Sequence, residues 1–404
     1  MWRSLIGRMV TKLEIPTDSE PAAQATPART AGRLPIDIFP SIDAVAADWD
    51  ALFAAAPASA YQSRAFCAAW MATLGESRGA LPCPVLVHGA DGAALALLPL
   101  ATIRLGPLRT LGFMGGRECN FNLPLLRPGY MPDEARARAM LVEAGRRAGA
   151  HLVVLRNMPR QLDAAVNPFV LQGALPSASS AYGAALPADA AALEQRLSKD
   201  ARKKLRRKRA LLGEIGEVAA ERAQTPQRAQ EIVRALTEQK RARMREQGIA
   251  SEFDDAAMDA FLLRLAGEGA LEAHALTVCG RIVAAYAGLT HRGRFSALVN
   301  SFDAEERIAR CSPGDLLLQA MLADLVGRGV GRFDLGVGEA RYKTAVCDET
   351  IALFDVVLPV SIIGRLAAPG LRALLRAKRY AKQTPQIAAA LARLRRALSG
   401  KGRG

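Results

Sequence analysis

The sequence lacks the residue patterns by which several classes of protein are identified. Its six cysteines include no C-x-x-C pair, which argues against a zinc site or a redox pair. Its four histidines form no two-histidine motif and no Ser/His/Asp set, so no metal is predicted and hydrolase chemistry is disfavoured. No stretch approaches 18 uncharged apolar residues, so no transmembrane helix is predicted. The absence of helix-turn-helix, zinc-finger and ribbon motifs disfavours DNA as a partner.

A signal-peptide pattern is also missing. The first ten residues, MWRSLIGRMV, begin with positive charge but lack a continuous apolar run and a small-residue cleavage site. Disulfides are therefore not expected, and the predicted location is the cytoplasm. Aromatic residues make up only 5% of the chain, but half of its 404 residues are apolar. This composition is sufficient for two ordinary folded domains with extensions.

Positive charge is plentiful, at a net +15, but it is unevenly distributed. Residues 361–404 contain eleven Lys or Arg and no Asp or Glu, which leaves 15 − 11 = +4 for the rest of the chain. The total charge therefore does not indicate a nucleic-acid partner. The tail alternates apolar positions with cations, a pattern typical of helices that lie on anionic membrane surfaces. The alternative is a tail that packs on the N-terminal lobe with its basic face in water.

The N-terminal half begins with a Pro/Ala/Thr-rich stretch, so residues 1–34 are predicted to be a flexible leader. Within residues 35–185, two helical patterns precede two apolar runs around Gly89–Gly92, which is a hairpin signal. A further helix leads directly into a buried strand, HLVVL. The small-residue stretch LPSASSAYGAALPADAAA is interpreted as the boundary between two lobes.

The C-terminal half, residues 186–360, repeats that order of elements. GEVAAERA is predicted to be a strand, followed by helices over Pro226–Glu246 and Asp254–Ala266. Three antiparallel strands, a helix and a strand come next, and TIALFDVVLP is predicted to be the last strand of this lobe. The repetition predicts an α/β (α+β) fold of two lobes, each a twisted mixed sheet flanked by helices. A basic amphipathic helical tail over 361–404 completes the chain.

At the centre of the C-terminal half stands RCSPGDLLLQAMLADLVGRGVGRFDLGVGEARYK, and the element order around it resembles the GNAT acyltransferase fold. More narrowly, it is similar to the CelD/BcsL-like group associated with bacterial cellulose and exopolysaccharide biosynthesis, which is related to the two-lobed Fem-type transferases. The resemblance covers residues 40–358 and is strongest over Ser198–Gly213 and Ser312–Lys343. It implies two tandem GNAT-like lobes, an acyl-CoA donor such as acetyl-CoA, and a glycan or cell-envelope precursor as acceptor.

The segment CSPGDLLLQAM is predicted to begin a helix. Ser312 suits the N-cap, Pro313 the first helical position, and Asp315 would complete a capping box. Since Gly314 lets a ligand approach the backbone, the helix N-terminus is a candidate phosphate site. The resemblance implies that the coenzyme A pyrophosphate binds at Ser312 to Leu316. The family's Q/R-x-x-G-x-G/A signature is absent, so a capped helix without a ligand is the alternative.

The segment FDLGVGEARYK supplies most of the remaining polar candidates. Acyl transfer needs a base for the nucleophile's proton, a proton donor for the leaving thiolate, and a group that stabilises the oxyanion. Glu339 or Asp334 is the candidate base, Tyr342 the candidate acid, and Lys343 a partner for a phosphate or the oxyanion. The resemblance implies that these residues lie in a cleft between the lobes. The alternative is that Asp334 caps a turn and Tyr342 packs in the core.

Two further groups are candidates for substrate binding. Asn300, Ser301 and Asp303 stand at the end of a strand, where they either orient an acceptor or form an ordinary turn. The segment SKDARKKLRRKRALL has eight Lys or Arg and one acid, with apolar positions at helical spacing. The resemblance places Arg202 and Arg206 of this helix beside the cleft, available to phosphates. A merely solvated helix face is the alternative.

Three functions remain open from the sequence. The leading one is an acyl-CoA-dependent N- or O-acyltransferase that works by direct attack of the acceptor on the thioester. The second is a Fem-like transferase that uses aminoacyl-tRNA, whose phosphates the basic helix would bind. The third is a catalytically silent scaffold that tethers a polysaccharide synthase complex at the inner face of the membrane, which the degenerate glycine signature favours.

Overall fold

Helices and strands alternate along the part of the chain that the structure describes. This computed structural model describes residues 36–163, 165–246, 252–339, 343, 346–384 and 386–387. The predicted leader, residues 1–34, lies outside the described residues. The helices are α1 Ala46–Ala55, α2 Arg64–Trp70, α3 Glu134–Arg147, α4 Ala190–Gln195, α5 Lys199–Gly213, α6 Pro226–Glu246, α7 Ala256–Gly267, α8 Glu306–Ala309, α9 Pro313–Gly327 and α10 Ile362–Gln383.

Nineteen strands lie between these helices in the same described ranges. They are β1 Ile36–Ile38, β2 Leu81–Pro82, β3 Val85–His88, β4 Ala94–Leu98, β5 Leu100–Leu105, β6 Leu108–Phe113, β7 Leu125–Leu126, β8 Leu152–Pro159, β9 Gln161–Leu162, β10 Ala165–Val166, β11 Leu175–Pro176, β12 Ala181–Ala185, β13 Val218–Arg222, β14 Glu272–Val278, β15 Arg281–His291, β16 Arg294–Phe302, β17 Arg332–Val337, β18 Glu349–Ile351 and β19 Leu353–Pro359.

Local sequence signals account for where many of these elements begin and turn. Side-chain oxygens of Asp133, Ser198 and Ser361 accept backbone N–H groups in the first turns of α3, α5 and α10. The hairpin predicted around Gly89–Gly92 is confirmed, with β3 and β4 antiparallel. Strands β14, β15 and β16 form the predicted antiparallel series.

Two large sheets form the lobes. The N-terminal lobe has a six-stranded sheet of order β11-β19-β8-β6-β5-β2, beside a four-stranded sheet β1-β3-β4-β7. The C-terminal lobe has a seven-stranded sheet of order β13-β14-β15-β16-β17-β12-β18. Strands β9 and β10 form a separate pair. The prediction of two lobes, each with a mixed sheet and flanking helices, is confirmed.

The two lobes exchange strands, which the sequence analysis does not predict. TIALFDVVLP is assigned there to the C-terminal lobe. This is right for Thr350 and Ile351, which belong to β18, and wrong for β19, which lies between β11 and β8 in the N-terminal sheet. Conversely, β12 comes from the stretch interpreted as a boundary and lies between β17 and β18 in the C-terminal sheet. Both strands are largely buried, and a buried apolar pattern does not specify which strands lie beside it. The ranges 35–185, 186–360 and 361–404 stay predictions.

A shared core joins the lobes. One apolar cluster contains side chains from α1 and α2 of the N-terminal half and from α6, α7 and β15 of the C-terminal half. Within it the ring of Phe66 meets the edge of Phe261, with centroids 5.4 Å apart. Burying a large apolar side chain contributes about 1.5–3 kcal/mol, so this cluster fixes one lobe against the other.

The last helix continues the exchange. After β19 the chain enters α10, which packs on β19 and β11 through Ala368, Leu371 and Leu375. Arg372 donates to the carbonyl oxygen of Val357 at 2.8 Å and Arg379 to that of Ser177 at 2.6 Å. Among the helices that the structure describes, none has both the length and the apolar character needed to cross a membrane.

Candidate active site

The parallel strands β16 and β17 pair at one end and then separate. Pairing is confined to Arg294–Ser296 against Arg332–Asp334, although β16 continues to Phe302 and β17 to Val337. A bulge at Leu298 shifts the register of β16 against β15 just beyond the paired segment. The separation creates an opening in the middle of the sheet, beyond Ser296 and Asp334.

The amide of Asn120 bridges the start of this opening. Its Oδ1 accepts from the N–H of Val337 at 3.1 Å, and its Nδ2 donates to the carbonyl oxygen of Ala297 at 3.1 Å and to the hydroxyl of Tyr61. Gly336 makes room for this bridge, because a Cβ there would lie 2.4 Å from Asn120 Nδ2. Burial, and then the charge of Asp334, raises the pKa of Tyr61 well above its usual value.

Asp334 lies behind the opening and is fully buried. Its Oδ2 accepts from the hydroxyl of Ser296 at 2.6 Å and is 3.9 Å from the guanidinium of Arg294. Burial raises the pKa of Asp334 to about 7, although the Ser296 hydrogen bond and the Arg294 charge both act to lower it. Asp334 lies where β16 and β17 separate. Because its carboxyl is fully buried, it is better placed to hold the two strands in position than to contact a substrate.

The other candidates from FDLGVGEARYK have different surroundings. Lys343 is buried, and its Nζ donates to the carbonyl oxygens of Gly336 and Val337 at 3.1 and 3.0 Å, so it holds the end of β17. Glu339 is exposed; its Oε1 accepts from the N–H of Ser180 at 3.3 Å and from Gln383 Nε2 at 3.2 Å. Tyr342 lies outside the described residues.

The opening leads into a cleft of about 620 Å³ between the lobes. Leu298, Val299 and Val337 line it at the separated strands, with Phe253 and Phe261 from the α6–α7 region. The other described walls come from β5, β6, β8, α10 and Asp355 of β19, from the loop 116–122, and from residues 178–179. The carboxylate of Glu118, which also lines the cleft, is held by Arg78 at 2.8 Å and by the indole of Trp70 at 3.1 Å.

Helix α9 begins where the sequence predicts, but its cap differs. Ser312 is in the left-handed region at φ 53° and makes no side-chain cap, so the predicted capping box with Asp315 is wrong. The reason is that Ser312 also closes the turn of α8, where its N–H bonds the carbonyl oxygen of Ala309 at 2.9 Å. Pro313 occupies the first turn as predicted, and Asp315 is exposed.

The N-terminus of α9 lies against the end of β16 and the basic helix. A Cβ on Gly314 would be 3.5 Å from the ring of Phe302, over which the guanidinium of Arg243 stacks at 4.3 Å. Helix α5 packs on α9, and Lys208 Nζ donates to the carbonyl oxygen of Arg310. Cationic side chains therefore stand close to Gly314 and to the half-buried Leu316.

The predicted substrate residues occupy separate positions. Arg202 is half-buried on α5, and Arg206 is exposed and pairs with Glu194 at 3.2 Å. Asn300 accepts from Lys240 through its backbone carbonyl at 3.1 Å.

Ser301 is buried and donates to Gln239 at 2.7 Å. Asp303 pairs with Arg281 and accepts from the N–H of Glu305 at 2.9 Å, which is ordinary turn chemistry. The structure thus brings Ser301 and Asp303 into local packing contacts, and not into the cleft lining.

One cluster of potential metal ligands occurs among the described residues: Glu272, His274 and Asp324 have ligand atoms within 4.8 Å of one another. Arg328 is hydrogen-bonded to both carboxylates, and Arg222 lies 3.6 Å from Asp324. Hydrogen bonds from His274 and Arg328 outweigh burial and lower the pKa of Glu272 to about 2. Two guanidinium groups within the cluster oppose a cation, so we interpret it as an ion-pair network.

Residues 199–344 match the family model described as an acetyltransferase (GNAT) domain. The chain carries a GNAT acetyltransferase domain. The match spans α5 to the end of the FDLGVGEARYK segment and indicates acyltransferase chemistry for this part of the chain. None of the curated proteins matches the sequence significantly.

Solved structures resemble the two lobes together. FemX shares 10% identity at a TM-score of 0.54, covering 79% of this chain and 97% of its own. A protein of unknown function from Bacteroides thetaiotaomicron shares 13% identity at 0.51, covering 81% and 100%. The C-terminal domain of a protein assigned as a lysylphosphatidylglycerol synthetase from Agrobacterium fabrum shares 14% at 0.50, covering 82% and 95%. At these identities the likeness concerns the fold.

Several residues around the GNAT domain's opening are not predicted from the sequence. Asn120 and Tyr61 come from the N-terminal half, more than a hundred residues away in sequence from β16 and β17. The segment GGRECNFNLP, which contains Asn120, offers one signal: a Gly pair followed by two Asn directly after a buried strand. Nothing in that pattern indicates which strands the amide bridges.

Proposed function

We propose that the chain transfers an acyl group, acetyl by preference, from acyl-CoA to an amine or hydroxyl of an acceptor in the cleft. The observation that carries this proposal is the separation of β16 and β17, which opens directly into the cleft at Leu298, Val299 and Val337. A thioester in the opening would meet an acceptor in the cleft, so direct attack needs no covalent enzyme intermediate.

The donor's phosphates are proposed to bind at the N-terminus of α9, at Ser312 to Leu316. The positive end of the helix dipole favours an anion there, and Gly314 lets it approach, although the N–H groups of Asp315 and Leu316 bond to the carbonyl oxygen of Ser312 at 3.0 and 3.2 Å. Gly314 approaches Phe302 closely, and Arg243 and Lys208 stand at the same corner. This arrangement supports coenzyme A binding although the family's glycine signature is degenerate.

Glu339 is the proposed general base. It is exposed, and the hydrogen bonds from Ser180 and Gln383 orient its Oε1, while Ser179 and Lys382, their sequence neighbours, line the cleft. A carboxylate oriented in this way is suited to take the acceptor's proton as the thioester is attacked. Asp334 and Lys343 are proposed positioning residues, and Tyr342 keeps its proposed role as the acid.

The acceptor is proposed to be a polysaccharide or cell-envelope precursor of the kind handled by the CelD/BcsL-like group. Arg202, Arg206 and Asn300 stay proposed substrate contacts near the donor corner, as we call the proposed phosphate site at Ser312 to Leu316. A cytoplasmic location with peripheral contact to the inner membrane face, or to a polysaccharide synthase complex, accompanies this proposal. The exposed apolar face of α10 supports such contact: Ile362, Leu366 and Leu374 are 77%, 80% and 63% exposed.

The test is thermal denaturation with acetyl-CoA, followed by release of the free coenzyme A thiol in the presence of glycan acceptors. Ligand at a hundred times its dissociation constant contributes about 2.7 kcal/mol, a measurable rise in Tm. Gly314→Glu places a negative charge at the phosphate corner and is expected to weaken acetyl-CoA binding about tenfold or more. Gly327→Glu makes the same change at the far end of α9, where a Cβ meets nothing within 4 Å, and should bind normally.

The same experiment separates the alternatives. The exposed cations of α5 also suit tRNA, so a Tm that rises with aminoacyl-tRNA and not with acetyl-CoA would replace this proposal with a Fem-like reaction. A Tm unchanged by either donor, with no thiol release, would favour the silent scaffold. Equal acetyl-CoA affinity of the two glutamate variants would remove the donor site from α9.

A further inference from the structure

One wall of the cleft is strongly cationic, and its residues come from other parts of the chain than the donor corner at Ser312 to Leu316. Arg104, Arg117, Arg156, Lys378 and Lys382 all line it, and the carboxylates among the described lining residues are those of Glu118 and Asp355. Arg104 and Arg117 belong to the N-terminal lobe near β5 and β6, Arg156 to β8, and the two lysines to α10. These elements converge on one side of the cleft because of the strand exchange, which brings β19 and then α10 onto the N-terminal sheet.

The acidic groups in this wall are already engaged. Glu118 is bound by Arg78 and by Arg117, whose Nε lies 3.2 Å from it. Asp355 is buried, and its Oδ1 accepts from the hydroxyl of Ser177 at 2.5 Å and from the N–H of Asn157 at 3.1 Å. Glu118 is therefore taken up by its own arginines, and Asp355, whose charge does act on Lys378, is the one described carboxylate left to offset the remaining lining cations.

Three cations make up what we call the cleft cluster: Arg156, Lys378 and Lys382. Among the described residues none of the three forms an ion pair with an acidic side chain. Lys382 Nζ is hydrogen-bonded to the hydroxyl of the buried Ser179 at 3.1 Å. Burial lowers the pKa of Lys378, and the charges of Arg156 and Lys382 lower it further. All three residues are exposed and line the cleft, so an anion that enters the cleft can reach them.

The backbone beneath the cluster is fixed in place. Asn122, a buried side chain, donates from Nδ2 to the carbonyl oxygen of Arg156 at 2.9 Å. Asn157 adopts a left-handed φ of 52°, held by Asp355 and by a bond from its Nδ2 to the carbonyl oxygen of Cys119 at 3.3 Å. A non-glycine residue in this region is strained, so the surrounding bonds must maintain it. The cluster is presented by rigid elements and not by a loose loop.

We infer that the cleft cluster binds a phosphate or pyrophosphate group of the acceptor, which makes the acceptor a phosphorylated or pyrophosphate-linked molecule. Two or three cations of fixed spacing suit a pyrophosphate better than a single carboxylate. This inference rests on the proposed function, because it assigns the acceptor's chemical class in the same cleft. The donor's own phosphates are proposed to bind elsewhere, at α9.

The test measures pyrophosphate binding by calorimetry with coenzyme A present at saturation, so that the donor corner is occupied. Lys378→Gln with Lys382→Gln is expected to weaken binding about tenfold or more, and Arg156→Gln to weaken it less. The matched control is Arg365→Gln with Arg376→Gln, which removes two exposed cations from the same helix outside the cleft lining. It should bind like the wild type, and melting curves check that all variants fold.

UDP-glucose and farnesyl pyrophosphate then distinguish two sources of the same anion, a nucleotide-linked and a lipid-linked acceptor. The inference is supported if one of these probes binds more tightly than pyrophosphate and the Lys378/Lys382 double variant loses that binding. The probe that binds more tightly then shows whether the acceptor is nucleotide-linked or lipid-linked. No binding of the three probes by the wild type overturns it, as does equal weakening by both double variants. Anion binding without any acetyl-CoA effect would instead count against the proposed function alone.

Discussion

At the scale of single residues, the buried carboxyl of Asp334 gives the protein a measurable pH dependence. Burial raises its pKa to about 7 in the folded state, whereas an exposed Asp titrates near about 3.9. Between these values the unfolded chain releases a proton that the folded chain retains. Stability therefore falls as pH rises through this window, and it levels off above about pH 7.

Asp334→Asn removes this titration while keeping an acceptor for the Ser296 hydroxyl. Relative to the wild type, its free energy of unfolding is expected to gain up to about 3 kcal/mol between pH 5 and pH 8, at about 1.4 kcal/mol per pKa unit. Urea denaturation at the two pH values measures this gain, with Asp315→Asn as the control for loss of an exposed carboxylate. A constant difference between variant and wild type would show that Asp334 titrates outside this window.

The sequence indicates which polar residues are unusual, but it does not indicate which groups those residues contact. The sequence selects Asp334 and Lys343 as unusual polar groups beside a Gly-rich turn, and both are buried at the end of β17. Their partners could not be predicted: Lys343, for example, bonds to the backbone carbonyls of Gly336 and Val337. Ser312 shows the same limit, because its cap depends on how α8 turns into α9.

At the scale of elements, the separation of β16 from β17 depends on one glycine. Gly336 has φ +69°, and a Cβ there would overlap the amide of Asn120. Gly336→Ala is therefore expected to expel the amide and lose its bonds to Ala297 and Val337. The left-handed penalty of about 1–2 kcal/mol and about 1 kcal/mol for each of the two lost hydrogen bonds predict a destabilisation of about 3–4 kcal/mol.

Chemical denaturation measures this change, and Gly331→Ala is the control. Gly331 stands just before the same strand, has no positive φ, and would gain a Cβ with nothing within 4 Å. It should change the unfolding free energy by less than about 1 kcal/mol. If both variants were equally stable, the Asn120 amide would not be what holds the opening.

Elements with local signals were predictable, and elements defined by distant pairing were not. Helix α6 has the predicted bounds, Pro226 to Glu246, because a Pro start and an apolar stripe at helical spacing are local signals. The partners of β12 and β19 are chosen across the whole chain. Their sequences, AYGAA and LFDVVLP, indicate burial, which either lobe could have satisfied.

At the scale of the whole molecule, α10 connects two surfaces. One face packs on β19, its flank supplies Lys378 and Lys382 to the cleft, and its outer face is apolar and exposed. Arg365 and Arg376 are exposed on the helix beside that outer face. Docked on an anionic membrane through this face, the helix would hold the cleft's lysines near the headgroups. A phosphorylated, membrane-linked acceptor could then enter the cleft without leaving the surface.

Sedimentation with lipid vesicles tests this arrangement. The wild type is expected to bind vesicles that contain phosphatidylglycerol and to bind neutral phosphatidylcholine vesicles much more weakly, since both apolar contact and charge contribute. Leu366→Glu with Leu374→Glu should abolish binding, because each carboxylate replaces an exposed apolar contact and repels the anionic surface. Met131→Glu is the control, since Met131 is an apolar side chain of the N-terminal half that is also mostly exposed, at 56%. It should sediment like the wild type.

If the leucine variants instead converted a dimer to a monomer in light scattering, and vesicle binding were unaffected, the outer face of α10 would be an interface between two copies of the chain.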